Sequence, residues 1–180
     1  MKNLLLLLII LFSSCKSSQN LSFTLNEVVT LETENCPDNG ICTIELIPNK
    51  SLVFKQDDFG NSYPIITEGD KTIFKYTYTR NPIPNTQDSN YTEIIYAELD
   101  KTISEINLHD SQLQNLKLYF GRLCFCKGET GYYPIKNGEF KISKTGRNAI
   151  NIDFKFIIKE VPQIISEINE TISLKSSEPK

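Results

Sequence analysis

The stretch INIDFKFII, residues 150–158, decides the fold class of this chain. Apolar side chains stand at every second position, and Asn151, Asp153 and Lys155 separate the first four of them. A period of two places the two sets of side chains on opposite faces of a β-strand. The sequence therefore predicts a strand with one face in a core and the other in water, which is typical of an antiparallel sheet.

The same period of two recurs along most of the chain, and helical spacing is scarce. Residues 21–25, 73–78 and 91–99 all alternate, and only residues 110–114 could hold one helical turn. The intervening segment Asn81–Asn90 contains two prolines that exclude a helix. The chain is also rich in Ile, Tyr and Phe, which favour strands. We therefore expect an all-β fold, an antiparallel β-sandwich or open barrel of about 8 to 11 short strands.

The pair Asn137–Gly138 carries the strongest hairpin signal in the chain. Residues 132–135 and 139–143 both have strand character, and an Asn-Gly turn is a preferred connection between paired antiparallel strands. The sequence therefore predicts that these two segments pair with each other. A second turn, Lys144–Arg147, then leads into the strand described first.

The N-terminal segment, residues 1–14, has the layout of a secretory signal peptide. Lys2 provides a positive charge, and nine apolar residues follow at Leu4–Phe12. The small residues Ser13 and Ser14 come next, as a signal peptidase requires. The apolar run is far shorter than the roughly 20 residues of a membrane-spanning helix. We therefore predict that residues 1–14 are a cleaved signal rather than a buried element of the domain.

The four residues Phe12–Cys15 resemble the bacterial lipobox, in which the signal is cut before a cysteine that carries diacylglycerol. Phe12 stands where that motif usually has leucine. The resemblance implies that Cys15 is the lipidated first residue of the mature protein; plain secretion with a free Cys15 thiol is the alternative. Several acyl chains on one residue would anchor the protein stably, because a single chain binds membranes only marginally. Residues 15–20 would then form a polar tether to the domain.

The remaining length fits one domain. Residues 21–172 are predicted to form a single β domain, and residues 173–180 a flexible tail. The whole chain has 19 Lys and Arg against 22 Asp and Glu, and residues 1–14 contain one lysine and no acid, so the mature part has a net charge of −4. A weakly acidic chain without basic clusters argues against nucleic acid as a partner.

Four cysteines follow Cys15 in two close pairs, Cys36 with Cys42 and Cys124 with Cys126. In an exported protein, an even set of cysteines is first interpreted as disulfide bonds. Residues two apart in an extended strand lie about 6.6 Å from each other, so a bond inside the second pair would require a kink. We therefore expect the first pair to bond across to the second, as a staple between distant parts of the chain. A local bond inside the first pair is the alternative.

No pattern in the chain identifies a catalytic site. The single histidine, His109, lies in a polar junction between strands, and the Gly-x-Ser-x-Gly turn of one hydrolase fold is absent. Two enzymatic alternatives stay open: a glycan-cleaving enzyme with two facing carboxylates, and thiolate metal or redox chemistry at Cys124 and Cys126. The cysteine spacing matches no zinc finger. We expect no catalytic residue, no metal and no cofactor.

A stiff loop and an aromatic segment are the candidate recognition sites. Two prolines hold the loop at residues 80–85 in one shape before binding, which lowers the entropy cost of association. Residues 120–133 combine aromatics, cysteines and glycines. Core packing and tight turns are the alternative explanation for both segments. The candidate partner-binding residues are Arg80, Pro82, Ile83, Pro84, Arg122, Tyr132 and Tyr133.

The lipobox and two longer stretches, RNPIPNTQDSNYTEIIYAELD at 80–100 and LYFGRLCFCKGETGYY at 118–133, resemble small lipoproteins of unknown function from Flavobacteria-type bacteria. The resemblance implies a cell-envelope address and no particular activity. Surface-displayed lipoproteins of those bacteria often carry acids just after the cysteine, and residues 16–19 lack them, which favours the periplasmic side. We therefore expect a lipid-anchored, non-catalytic binding or structural domain with a protein or glycan partner in the envelope.

Overall fold

The computed structural model describes residues 22–146 and 148–174, which form twelve strands and one 3₁₀-helix. The predicted signal peptide, Cys15 with its tether, and residues 175–180 of the predicted tail lie outside these ranges. Within them, no helix has the length and apolar character needed to cross a membrane. The strands are β1 (Phe23–Thr24), β2 (Val29–Glu32), β3 (Gly40–Gln56), β4 (Ser62–Arg80), β5 (Tyr91–Asp100), β6 (Thr102–Ile103), β7 (Ile106–His109), β8 (Tyr119–Cys124), β9 (Gly131–Pro134), β10 (Gly138–Gly146), β11 (Ala149–Phe156) and β12 (Glu167–Ser173). The 3₁₀-helix Asp110–Leu116 follows β7 and includes the helical turn expected there.

Two sheets make up the body of the fold, and every strand pair in them is antiparallel. One sheet has six strands in the order β2-β3-β4-β5-β8-β9, and the other has four in the order β12-β11-β10-β7. Strands β1 and β6 form a small separate pair. The inner faces of the two large sheets contribute to one hydrophobic core. The expected all-β fold is therefore confirmed, and it is a sandwich.

The alternating strand that opened the sequence analysis lies at the centre of the four-stranded sheet. Four apolar residues of β11 are buried, namely Ile150, Ile152, Phe154 and Phe156, and Lys155 between the last two is exposed. The ring of Phe154 packs edge-on against Phe140 of β10 at 5.2 Å between centroids. In the opposite sheet, Phe74 faces Phe140 across the core at 6.3 Å. The period of two thus identified both the strand and the face that it buries.

The hairpin predicted across Asn137–Gly138 is wrong. β9 pairs with β8 in the six-stranded sheet, whereas β10 pairs with β11 and β7 in the other, so the chain crosses between the sheets here. Gly138 has a positive φ of 149°, and a Cβ at this position would lie 2.2 Å from the carbonyl oxygen of Lys155. The glycine therefore allows β10 to approach β11 closely, and it does not form a two-residue hairpin turn.

The strands β3 and β4 are much longer than the short strands expected, with 17 and 19 residues. A bulge around Asn49, which has φ of 56°, interrupts their pairing and bends the hairpin. Residues 50–68 beyond the bulge, which we call the arm, fold over the outer face of the six-stranded sheet. Leu52 of the arm is fully buried there, and the ring of Phe54 stacks on Tyr119 at 3.6 Å. The outer face thus has a second, smaller core.

Candidate functional site at the disulfide end

Strand register brings the two candidate recognition segments to one end of the sandwich. β4 ends at Arg80, β5 begins at Tyr91 and β8 ends at Cys124, and the three strands are neighbours in antiparallel order. Gly40, at the start of β3, pairs with Arg80 at the same end. Both cysteine pairs lie here, so we call this region the disulfide end. The sequence placed the two segments about 40 residues apart and held no sign of their meeting, because strand order depends on long-range pairing.

The cysteines pair locally, and the cross-bonded staple is wrong. Cys36 bonds to Cys42 and Cys124 bonds to Cys126, with Cα atoms 5.5 and 5.2 Å apart respectively. The physical reason is the strand order. Strands β4 and β5 lie between β3, which carries Cys42, and β8. Three interstrand spacings amount to roughly 14 Å, which no disulfide can span.

The second disulfide forms because the chain bends where β8 ends. Cys124 is the last residue of that strand, and Cys126 already lies in the following turn, where its carbonyl accepts a hydrogen bond from the Glu129 amide at 3.2 Å. The bend brings the two Cα atoms closer than the spacing of an extended strand. Between them Phe125 projects outward with 83% of its surface exposed.

Two arginines flank one buried tyrosine on the inner face of the disulfide end. The guanidinium carbons of Arg80 and Arg122 lie 5.0 and 5.4 Å from the centroid of the Tyr91 ring. Arg122 also donates from Nε to the Tyr91 hydroxyl at 3.3 Å and forms an ion pair with Glu129. Arg122 is only 8% exposed, so its guanidinium group makes these contacts inside the protein. Burial, followed by the hydrogen bond to Glu93, raises the pKa of Tyr91 to about 12.

Glu93 is a buried residue of the disulfide end that the sequence analysis missed. Its carboxylate is fully buried and accepts hydrogen bonds from the Tyr91 hydroxyl at 2.5 Å and from the amides of Ile164 and Ile165 at 2.6 and 2.7 Å. These bonds fasten the β11–β12 loop across the disulfide end. The sequence does contain a signal for this residue. Glu93 lies on the same face of β5 as Ile95, which is in the core, and a buried carboxylate requires hydrogen-bond partners.

The predicted tyrosines separate to opposite faces of β9. Tyr132 packs into the outer cluster, where its ring lies 6.0 Å from Phe54 and 6.3 Å from Tyr96. Tyr133 packs against the main core instead. Both are half-buried. Their contacts are internal, so core packing accounts for them without a partner.

The stiff loop with the two prolines, which connects β4 to β5 and which we call the proline loop, is held in place by hydrogen bonds. Arg80 donates to the carbonyl of Ser89 at 3.0 Å, and the amide of Ile83 donates to the Ser89 hydroxyl at 3.3 Å. At the start of the loop, the amide of Asn81 donates to the carbonyl of Asn39 at 2.7 Å. Pro82 and Pro84 are exposed, and so is the side chain of Ile83, at 48%. The loop therefore presents an apolar side chain from a fixed backbone.

Three loops of the disulfide end display an apolar side chain to solvent. Phe125 is 83% exposed on the β8–β9 turn, Ile83 is 48% exposed on the proline loop, and Ile164 is 41% exposed on the loop that Glu93 fastens. A shallow, mostly apolar depression of about 490 Å³ lies beside Phe125 and is lined by residues 124–127. Exposed apolar side chains on hydrogen-bonded or disulfide-closed loops are typical of surfaces that bind other molecules.

Carboxylates cluster at the opposite end, around a cavity of about 440 Å³ near β6. There, Nζ of Lys117 lies 2.7 Å from a carboxylate oxygen of Glu98, and Nζ of Lys71 lies 2.9 Å from one of Asp100. Glu98 also accepts the amide of Leu52 at 2.7 Å and so holds the arm. These groups serve as structural ion pairs. Among the residues described, no group of three or more His, Cys, Asp or Glu side chains is arranged to hold a metal ion.

Comparisons of the chain with protein-family profiles, with curated proteins and with solved structures gave no match.

Proposed function

We propose that this protein is a lipid-anchored binding module of the bacterial cell envelope and that it engages a protein partner through its disulfide end. Cys15 would carry the lipid, and the domain would face the periplasm rather than the cell surface. The observation that carries the proposal is Phe125, which is 83% exposed on a turn closed by the Cys124–Cys126 bond. A large aromatic side chain on a rigid backbone is an efficient anchor, because little conformational entropy is lost on binding.

The direction of the tether supports this proposal. The first described strand, β1, pairs with β6, which directly follows the end of β5 at Asp100. The disulfide end lies at the other end of β5, at Tyr91. Ten residues of extended strand measure about 30 Å. An anchor that precedes β1 would therefore leave the disulfide end turned away from the lipid and open to a partner.

A protein partner fits this surface better than a glycan. The disulfide end displays Phe125, Ile83 and Ile164 to solvent, and the depression beside Phe125 is mostly apolar. The guanidinium group of Arg122, which could have bound a polar ligand, is already paired with Glu129. An apolar pocket on a protein partner is the complement of such a surface.

Site-specific photo-crosslinking in cells tests the proposal. A photoreactive phenylalanine at position 125 should give one discrete crosslinked species that mass spectrometry identifies. The same residue at position 59, a phenylalanine that is 90% exposed in the turn of the arm, is the matched control and should not give it. Equal crosslinking from both positions, or none from position 125, would reject the disulfide end as the binding surface.

A further inference from the structure

The two disulfides of this protein are built differently. Cys42 is 1% exposed and belongs to the main core, and its partner Cys36 is half-buried against that core, so one end of this bond is enclosed by the fold. Cys124 and Cys126 are both half-buried at the surface, and their sequence separation is 2 against 6 for the first pair. A shorter closed loop restricts the unfolded chain less, so the second bond contributes less to stability. A structural role therefore accounts well for the first bond and poorly for the second.

The second disulfide is also open to attack by a thiol. The apolar depression of about 490 Å³ is lined by both of its cysteines together with Phe125 and Lys127. Exposed disulfides of this kind are the ones that exchange with other thiols, whereas enclosed disulfides resist reduction. Both cysteines line the depression, so a thiolate that approached through it would reach the disulfide; we take Cys126, in the turn beyond the end of β8, as the residue that is attacked.

The surroundings of Cys124 suit a departing thiolate. The hydroxyl of Thr130 donates its proton to the carbonyl of Cys124 at 2.5 Å, which holds the threonine in place. Its oxygen also lies 3.9 Å from the Cys124 sulfur, so the hydroxyl can turn and donate to that sulfur once a thiolate forms there. A hydroxyl that donates to a thiolate stabilises its charge, and a stabilised thiolate is a better leaving group.

We propose that the Cys124–Cys126 disulfide is a thiol–disulfide exchange site that oxidises a dithiol in a protein partner. The inference rests on the proposed function in one respect, because the partner would dock on the surface around Phe125. It adds the chemistry of that partner, namely two cysteine thiols close enough to bond with each other. Phe125 would then hold the partner's apolar surface while the sulfur atoms exchange.

The exchange proceeds in two balanced steps. A partner thiolate attacks the sulfur of Cys126, a new disulfide forms between them, and the Cys124–Cys126 bond breaks with its electron pair left on the Cys124 thiolate. The second partner thiol, after losing its proton, attacks the first partner sulfur and displaces the Cys126 thiolate. The two Cys thiolates take up two protons. The partner is thereby oxidised to a disulfide, and two electrons reduce the pair Cys124 and Cys126.

Titration with glutathione buffers tests the inference on the purified protein, and Cys36–Cys42 serves as an internal control. The fraction of each pair that is reduced is measured by alkylation and peptide mass spectrometry. We expect Cys124–Cys126 to be half reduced at a ratio of [GSH]² to [GSSG] at least tenfold lower than Cys36–Cys42. Equal midpoints, or a lower midpoint for Cys36–Cys42, would overturn the inference.

A kinetic assay tests the assignment of Cys124 as the leaving group. The probe is a synthetic dithiol peptide, and the measured quantity is the rate of its oxidation by the protein. Thr130→Val should lower this rate at least threefold, and Thr130→Ser should restore it, because serine keeps the hydroxyl. An unchanged rate in Thr130→Val would overturn the assignment.

The inference and the proposed function can fail separately. In a Cys124→Ser/Cys126→Ser variant, the photo-crosslink from position 125 should persist at a lower yield, because no bond closes the turn, and peptide oxidation should be lost. A crosslink together with equal reduction midpoints would reject exchange and keep binding. A low midpoint for Cys124–Cys126 without any crosslink would reject the partner surface and keep the exchange chemistry.

Discussion

Replacement of Glu93 by glutamine provides the sharpest test of how the disulfide end is held together. The buried carboxylate accepts three hydrogen bonds, from the Tyr91 hydroxyl and from the amides of Ile164 and Ile165. Glutamine keeps one acceptor oxygen but presents an NH₂ group where the second oxygen accepts a bond. At least one amide of the β11–β12 loop then loses its acceptor in a buried site.

The expected loss of stability follows from these contacts. Hydrogen bonds to charged groups contribute about 1.5–3 kcal/mol each, and a buried donor left without a partner costs about 1–3 kcal/mol. We therefore expect Glu93→Gln to lower the free energy of unfolding by about 2–4 kcal/mol. For a domain of this size, that corresponds to a fall in Tm of roughly 5–15 °C.

Urea unfolding followed by circular dichroism measures this loss, and Glu139→Gln is the matched control. Glu139 is exposed on β10, and its replacement should change stability by less than about 0.5 kcal/mol. Hydrogen exchange locates the effect: the amides of Ile164 and Ile165 should lose more protection than the amides of β11. A Glu93→Gln variant that is as stable as the control, with both amides still protected, would refute the assigned role of Glu93.

Three further predictions concern pH, the lipid anchor and the core. Burial raises the pKa of three tyrosines from the ordinary 10 to about 12: Tyr76, Tyr91 and Tyr96. Because they ionise near pH 10 only when the chain is unfolded, their contribution to stability is complete below pH 10. Above it, the free energy of unfolding should fall by about 1.4 kcal/mol per pH unit for each tyrosine, as far as pH 12. Urea unfolding at pH 9 and 11 checks this, and a flat profile would contradict it. Cys15→Ser should abolish labelling by fatty acid and release the domain into soluble fractions; persistent labelling would disprove lipidation at Cys15. Phe154→Ala should cost about 3–5 kcal/mol, since the fully buried ring leaves a cavity among aromatic neighbours, and a loss below 1 kcal/mol would show that the core refills it.

The sequence was sufficient for the fold class because the signal for it is local. The alternation in residues 150–158 and in residues 73–78 depends only on which side chains face the core, and the structure buries the apolar set in each case. The long β3–β4 hairpin was not foreseen. Pro48 and Asn49 have the composition of a turn, and their actual role is a bulge that bends two continuous strands into the arm.

The sequence was sufficient to predict the separate segments of the candidate site, but not how they lie beside one another. Exposure of the proline loop follows from composition, whereas its position beside Cys124 depends on the pairing of β4, β5 and β8. The prediction of the disulfide connectivity was wrong for the same reason. The number of strands between Cys42 and β8 cannot be deduced from residue spacing along the chain. Long-range register is therefore the information that the sequence patterns lacked.

The central claim is that the disulfide end binds a protein partner through Phe125. Its most direct test is the dissociation constant for the partner that crosslinks to position 125, measured with the native protein, with Phe125→Ala and with Phe59→Ala. An aromatic anchor contributes about 2 kcal/mol or more to binding, so Phe125→Ala should weaken binding at least roughly thirtyfold. The control Phe59→Ala, which removes a ring that is 90% exposed on the arm, should leave the constant within about twofold. Equal affinity of all three proteins would contradict the account.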